Sequence, residues 1–510
     1  MRFRSGRGLK VCGTDIPVGV VVLIAGWVAL ACVRLDLPGL QFDEVGYAVA
    51  LYPNEADAAR SLTERMMLMP YMGALKAWVY GVWFAVLPVT PWTARLPMVL
   101  SSAFTLVLIY GTLRRILPAK PALAVLALAA SDPVYLLTSR HDWGPVVLQR
   151  LCFWSALAVL SGGVTTRRAL AAGAFCGVGL FDKLSFHWLI VAAVLTALIM
   201  YRERLALRTA VVGLAGFLVG SFPVWLYRLA GHRSDPVQLE SSWQALTGKL
   251  TIIGNALTGR PLNGWISHSY LEPEVIDRFA PSAWFGLADL AGSALWIVWI
   301  AAALLLLWGK NQHRRFALAS LLFCGLVAIQ MIAVQGAGYL HHWALVAPIP
   351  LLGLGVLLVG ATKQRWLAPT AFAVLLTANG LCIARQYAEI IGYGGRPTWS
   401  EAIYELAVAL EKRSPEQVLV LDWGIEFQLR LLSEGKLKTR GVYTDEDLRH
   451  WLIAPGERVF VAFAAGLPDL FEGAQPRLES VAADLGVRIE PVQVIADRQG
   501  RPIYQLSRVP

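Results

Sequence analysis

Twelve apolar segments follow one another along the first three quarters of the chain. They lie near residues 17–33, 66–88, 96–113, 121–138, 145–163, 169–183, 184–201, 209–227, 284–308, 316–334, 342–360 and 366–384. Most approach the roughly 20 apolar residues that a helix needs to cross a bilayer core of about 30 Å. The segment at 66–88 differs. It is broken by Met69-Pro70 and carries Lys76 among aromatic residues, the make-up of an interfacial stretch rather than a span. Residues 169–201 pose the opposite problem, because one helix of that length would be about 50 Å long. That is too much for one crossing, so two are expected.

Beyond about Gln386 the pattern becomes that of a soluble α/β layer. Thr398-Trp399-Ser400-Glu401 has the spacing of a capping box and predicts a helix to about Lys412. Strands are expected at Gln417–Leu421 and Arg458–Phe463, and helices at Phe427–Leu432, Thr444–Leu452 and Pro476–Leu485. A hairpin is expected from 488–496 and 502–507 around Arg498-Gln499-Gly500. The division is therefore 1–385, a membrane domain, and 386–510, an α/β domain. No Gly-rich phosphate loop follows either strand, so the second domain is expected to brace the outer face rather than bind a nucleotide.

Composition sharpens this picture. Of 510 residues 56% are apolar and 16% charged, and the mean hydropathy is +0.54, as expected of a polytopic membrane protein. The formal charge of +10 falls largely in short loops and so points to orientation, not to nucleic acid. Beside the N-terminal tail, basic clusters stand at Arg114/Arg115/Lys120, Arg167/Arg168, Arg202/Arg204/Arg208, Lys310/Arg314/Arg315 and Lys363/Arg365. All share the cytoplasmic side only if 66–88 does not cross. About eleven spans result, with the N-terminus cytoplasmic and the C-terminal domain extracytoplasmic. Outer loops are then expected at 35–95 and 228–283. The first segment reads as an uncleaved span. The six cysteines lie in the tail or in apolar segments, so no disulfide framework is expected. There is no Asn-x-Ser/Thr site, which favours a bacterial inner membrane over the endoplasmic reticulum.

The candidate chemistry centres on Gln41-Phe42-Asp43-Glu44-Val45-Gly46-Tyr47, just past the first span. Pro38 and Gly39 stop the preceding helix, and Asp43 is placed to cap the next. The plain reading is that Asp43 and Glu44 cap a helix and complement its dipole. The rest of the chain adds to it. With eleven spans, Asp132, Arg150, Asp182, Lys183, His187, Asp289, Gln330, His341 and His342 all stand toward the outer ends of their segments. Ionisable groups inside a membrane are costly and usually face a cavity. Here they predict one outward-facing cavity at the level of Asp43 and Glu44.

Four stretches resemble the GT-C superfamily of membrane glycosyltransferases, in the branch of the dolichyl-phosphate-mannose protein mannosyltransferases and the lipid A aminoarabinose transferase. The first is Asp43-Glu44 with Tyr47 in the first outer loop. The second is Met69-Pro70-Tyr71 followed by Ala94-Arg95-Leu96-Pro97. The third is Asp132-Pro133 with Arg140-His141-Asp142, and the fourth the glycine-leucine run Gly177 to Lys183. The family's His-Pro-Pro is Leu68-Met69-Pro70 here, and the nearby cation is Lys76. The resemblance covers about residues 15–385. It implies inverting transfer of a sugar from a polyprenyl phosphate donor to an acceptor hydroxyl of a glycan, lipid or protein. Asp43 would be the base, with Glu44 orienting it or the acceptor. Lys76, Arg140, Arg150 and Lys183 would meet the phosphate, since cations must offset a leaving phosphate's charge. Tyr47, Tyr71, Asp142, His187, His341 and His342 would complete the substrate site. No cofactor is required by the sequence, and a divalent metal stays open. The competing classes are a lipid-sugar flippase, whose site would lie near the midplane between repeats, and a non-catalytic envelope scaffold.

Overall fold

The computed structural model describes residues 10–11, 14–54, 61–142, 146–204, 206–232, 238–256, 312–338, 340–361, 366–454, 456–464 and 473–509. The apolar segment expected at 284–308 and most of the outer loop expected at 228–283 lie outside these residues.

The first helix, α1 (Val18–Cys32), leads to a four-residue helix α2 (Phe42–Val45) that carries Asp43 and Glu44. Residues 66–88 do not form a span. They make a hairpin of β1 (Met67–Met69) and β2 (Met72–Gly73), then α3 (Leu75–Phe84), whose 10 residues are too few to cross a bilayer. Next comes α4 (Pro91–Leu113), opened by a Thr90 capping box with proline in the first turn. The segment expected at 121–138 is two helices, α5 (Ala119–Ala130) and α6 (Pro133–Arg140), bent by 60°. Asp132 caps the second, its Oδ1 accepting from Val134 N at 2.8 Å, and Pro133 takes the position where no N–H is needed.

The 169–201 stretch divides as anticipated, into α8 (Thr166–Asp182) and α9 (His187–Met200), which follow α7 (Val146–Ser161). The break falls at Lys183, whose backbone is extended (φ −157°, ψ 138°). Helix α8 packs against α7 and against α10 (Leu207–Gly220), which bends by 65° into α11 (Phe222–Leu229). Two glycine pairs spaced by four, Gly173/Gly177 and Gly216/Gly220, let α8 and α10 touch. A Cβ on Gly173 or Gly177 would overlap the carbonyl oxygen of Gly213 or Phe217. Further long helices include α12 (Gln312–Ala333), α13 (Ile349–Ala361) and α14 (Leu367–Tyr393). Among the described residues three helices are long and apolar enough to cross a membrane, five counting each bent pair, with four shorter apolar helices beside them.

After a left-handed Gly394 closes α14, the chain forms a five-stranded mixed sheet. Its strands are β3 (Gln417–Val420), β4 (Thr439–Gly441), β5 (Arg458–Phe463), β6 (Glu490–Ala496) and β7 (Pro502–Arg508), in the order β4-β3-β5-β7-β6. β3 runs parallel to β4 and β5, and β7 antiparallel to β5 and β6. Strand residues alternate between two cores. Val418, Val420 and Val459 face α15 (Ala402–Arg413) and α16 (Glu426–Leu432). Leu419, Leu421 and Phe460 face α17 (Asp445–Ile453) and α18 (Ala474–Asp484). The short β4 was not expected. Its three residues, Thr439-Arg440-Gly441, carry no run of apolar or β-branched side chains. Helix α15 begins later than its spacing suggested, after a 3₁₀ turn, with Ser400 Oγ accepting from Ala402 N at 3.2 Å.

The sheet domain is seated on the helical part by named contacts. Tyr404 donates to Asp36 O at 2.7 Å, and Arg498 Nη1 to Ile391 O at 2.7 Å. Phe42 stacks on Phe427 with ring centroids 3.9 Å apart.

Candidate active site

Helix α2 owes its position to two neighbouring residues with different fates. Gln41, not Asp43, is its N-cap. Gln41 Oε1 accepts from Glu44 N at 3.0 Å while Glu44 Oε2 accepts from Gln41 N at 3.3 Å, a capping box with glutamine in the first place. Glu44 is then drawn inward to Arg95 at the head of α4. Arg95 donates to both its carboxylate oxygens, at 2.7 and 2.9 Å. The same guanidinium donates to the carbonyls of Leu35, Pro38 and Gly39 at 2.8 to 3.1 Å. Both side chains are buried, so one arginine fastens the whole outer-loop turn between α1 and α2.

Asp43, freed from capping, turns the other way, into a cavity of about 1250 Å³. The cavity runs between α2, the β1–β2 hairpin, the α8–α9 break, residues 335–337 and α16. Its wall includes Tyr71, Trp78, Lys183, His187, Trp188, Arg228, His341, His342, Phe427 and Arg430. Among the described residues Asp43 is the only carboxylate in that wall. Gln41 Nε2 donates to Asp43 Oδ2 at 3.3 Å. Burial pushes the Asp43 carboxyl above the ordinary aspartate range, and the Gln41 hydrogen bond and the Lys183 and Lys76 ammonium groups pull it partly back. A carboxylate whose pKa is raised in this way is a stronger base than an ordinary aspartate. Among the described residues no three His, Cys, Asp or Glu side chains converge as a metal-holding group.

The fold has counterparts among known proteins. Residues 72–227 match the family model described as dolichyl-phosphate-mannose-protein mannosyltransferase. Two crystal structures of ArnT from Cupriavidus metallidurans superpose along nearly the whole chain. The apo form has a TM-score of 0.59 at 15% identity, and the form bound to undecaprenyl phosphate 0.58 at 14%. Each alignment covers 96% of this chain and 97% of ArnT. This chain therefore shares the fold of ArnT. The apo oligosaccharyltransferase of Archaeoglobus fulgidus aligns over 93% of this chain and 69% of its own, at 10% identity and a TM-score of 0.47. No curated protein sequence matches the chain.

Within this fold the expected site residues separate into two groups. Asp43, Tyr71, Lys183, His187, His341 and His342 meet at the cavity. Glu44, Tyr47, Lys76, Arg140, Asp142 and Arg150 lie behind it, buried and outside its wall. Lys76 is engaged by Asp142, Nζ to Oδ2 at 3.0 Å, and lies 5.1 Å from the centre of the Tyr47 ring. Asp142 Oδ1 also accepts from Val147 N at 3.0 Å, near the start of α7. Arg140 donates to the carbonyls of Val33, Arg34 and Leu37 and stacks over Tyr387. Arg150 donates to Thr138 and Ser139 and lies over Tyr135. These two arginines tie helices together where carbonyls and hydroxyls would otherwise be orphaned in an apolar interior. The sequence singled out neither Phe427 nor Arg430, which reach the cavity from the sheet domain. Nor did it give Arg95 a role, although that residue sits in the matched Ala-Arg-Leu-Pro. A cation opening an apolar helix needs a partner, and that signal was available.

Proposed function

We propose that this protein is a membrane glycosyltransferase moving a sugar from a polyprenyl phosphate donor to an acceptor hydroxyl, with inversion. Asp43 takes the acceptor proton. The acceptor oxygen forms its bond to the anomeric carbon as the bond from that carbon to phosphate oxygen breaks, and polyprenyl phosphate leaves. Lys183 meets the phosphate charge across the cavity. Tyr71, His187, His341 and His342 supply hydrogen bonds to sugar and acceptor. The aromatic and aliphatic wall, with Trp78, Leu184 and Trp188, suits the isoprenoid end of the donor. The distribution of basic clusters supports a cavity and sheet domain on the outer side of a bacterial inner membrane.

The observation that carries this reading is Asp43 as the lone described carboxylate of a cavity it shares with Lys183. ArnT, whose fold this chain shares, has been crystallised with undecaprenyl phosphate, which supports a donor of that class. The test is transfer of labelled sugar from a polyprenyl phosphate donor by purified protein. Asp43→Asn keeps the side chain's size, so folding should be retained while transfer falls roughly 10²- to 10⁴-fold, as for a lost general base. Full transfer by a normally folded Asp43→Asn protein overturns the assignment. Movement of lipid-linked sugar with no new glycosidic bond would mark a flippase instead.

A further inference from the structure

Lys183 occupies the break between α8 and α9, where two helices end and begin in an apolar setting. Backbone groups freed at such a break must find partners inside the protein. On one side the β1–β2 hairpin provides them. Met72 pairs with Lys183 as an isolated antiparallel bridge, and Leu184 N donates to Tyr71 O at 2.9 Å. On the other side the Lys183 carbonyl is met by a side chain from a different helix. Gln149 Nε2, on α7, donates to Lys183 O at 2.8 Å and approaches Ser185 Oγ at 3.5 Å. Gln149 is 1% exposed and forms no part of the cavity wall.

The helix that presents Gln149 is itself anchored. Asp142 holds Val147 N and the Lys76 ammonium together, and Lys76 Nζ also lies 3.5 Å from Glu44 O on α2. A line of buried polar contacts thus runs from the turn carrying Asp43, through Lys76, Asp142 and α7, to the backbone of Lys183. It ends at the cation that faces Asp43 across the cavity.

We propose that Gln149 is a positioning residue for donor recognition, fixing the Lys183 backbone so that its ammonium faces the donor phosphate. This rests on the reading of the cavity as a donor site. Gln149 touches neither donor nor acceptor, so its effect passes through Lys183. Gln149→Leu removes the amide at similar size and leaves the Lys183 carbonyl without its donor. The apparent donor KM should rise, with kcat/KM falling about tenfold, within the range of coupling between neighbouring residues. Gln149→Met, unbranched and closer in shape, should behave alike and serves if the leucine variant folds poorly.

The deciding measurement is a double-mutant cycle with Lys183→Ala, read as donor KM and kcat separately, with melting curves for each protein. In the Lys183→Ala background a change at Gln149 should have little further effect on donor KM. If the two losses multiply instead, Gln149 acts elsewhere and the proposal fails. If Gln149→Leu and Gln149→Met both leave the donor KM of the otherwise intact protein unchanged, it also fails. If Lys183→Ala alone leaves donor KM and kcat untouched, the donor-site reading of Lys183 is what fails, and the two failures are separable.

Discussion

Asp43 and Glu44 are adjacent carboxylates on one short helix, and the protein uses them in opposite ways. Behind α2, Glu44 is fully enclosed with Arg95, both its oxygens are occupied, and the arginine also gathers three loop carbonyls. In front of α2, Asp43 has a single long hydrogen bond from Gln41 and otherwise faces open cavity. A carboxylate held by three donors, two of them on one guanidinium, is a poor proton acceptor. One left half-satisfied at a cavity wall is a better one. The same division separates the cations. Lys76, Arg140 and Arg150 are committed to Asp142, carbonyls, hydroxyls and rings, whereas Lys183 reaches the cavity. Among the expected site residues, those bound up in buried contacts lie behind the cavity, and Asp43 and Lys183 are left to face it.

The comparison can be broken most forcefully at Arg95. Arg95→Met strands Glu44 as a buried charge, which typically costs about 3–5 kcal/mol. The melting temperature in detergent should collapse, or the protein should fail to accumulate. Adding Glu44→Gln should restore part of that loss, because the stranded charge is gone. If Arg95→Met melts normally but transfers no sugar, Arg95 and Glu44 belong to the chemistry and the division drawn above is wrong.

A smaller effect should appear in the pH profile. Burial raises the Asp43 carboxyl above the ordinary aspartate range, and in the proposed reaction the deprotonated form takes the acceptor proton. Transfer should therefore be present above that raised value and decline as pH falls through it, with the acid limb at higher pH than an exposed aspartate would give. The residual transfer of Asp43→Asn should lack that limb. A limb retained in Asp43→Asn would assign it to another group.

How far the sequence could see follows the same line. Several apolar helices, the break at Met69-Pro70, the division at Lys183 and most elements of the sheet domain were legible, because each rests on local periodicity, prolines or caps. The pairing of carboxylates was not. Sequence spacing alone presents Asp43 and Glu44 as equals, and only the approach of Arg95, 51 residues away, sets them apart. That Arg140 and Arg150 lie outside the cavity wall was hidden for a related reason. A cation at the outer end of a span looks alike from sequence whether it faces a cavity or caps the carbonyls of a neighbouring helix. Phe427 and Arg430 could not be found at all, since the docking of the sheet domain onto α2 leaves no mark on periodicity.

The subtlest prediction concerns Gln41, which both caps α2 and donates to Asp43. Gln41→Ala removes the capping box, so stability should fall by about 1 kcal/mol, as for other lost N-caps. It also removes the hydrogen bond that favours the charged form of Asp43. The acid limb of transfer should therefore move to higher pH, while activity well above it changes little. Asp43→Ala should show the converse: near-normal melting, because the cap is elsewhere, and transfer reduced as in Asp43→Asn. The two substitutions lie two residues apart on one turn, so an indirect disturbance of the loop would affect both alike. Melting curves and pH profiles of both proteins decide the matter. Should Asp43→Ala lose the kilocalorie and Gln41→Ala melt normally, Asp43 is the cap after all, and its place in the cavity loses its chemical meaning.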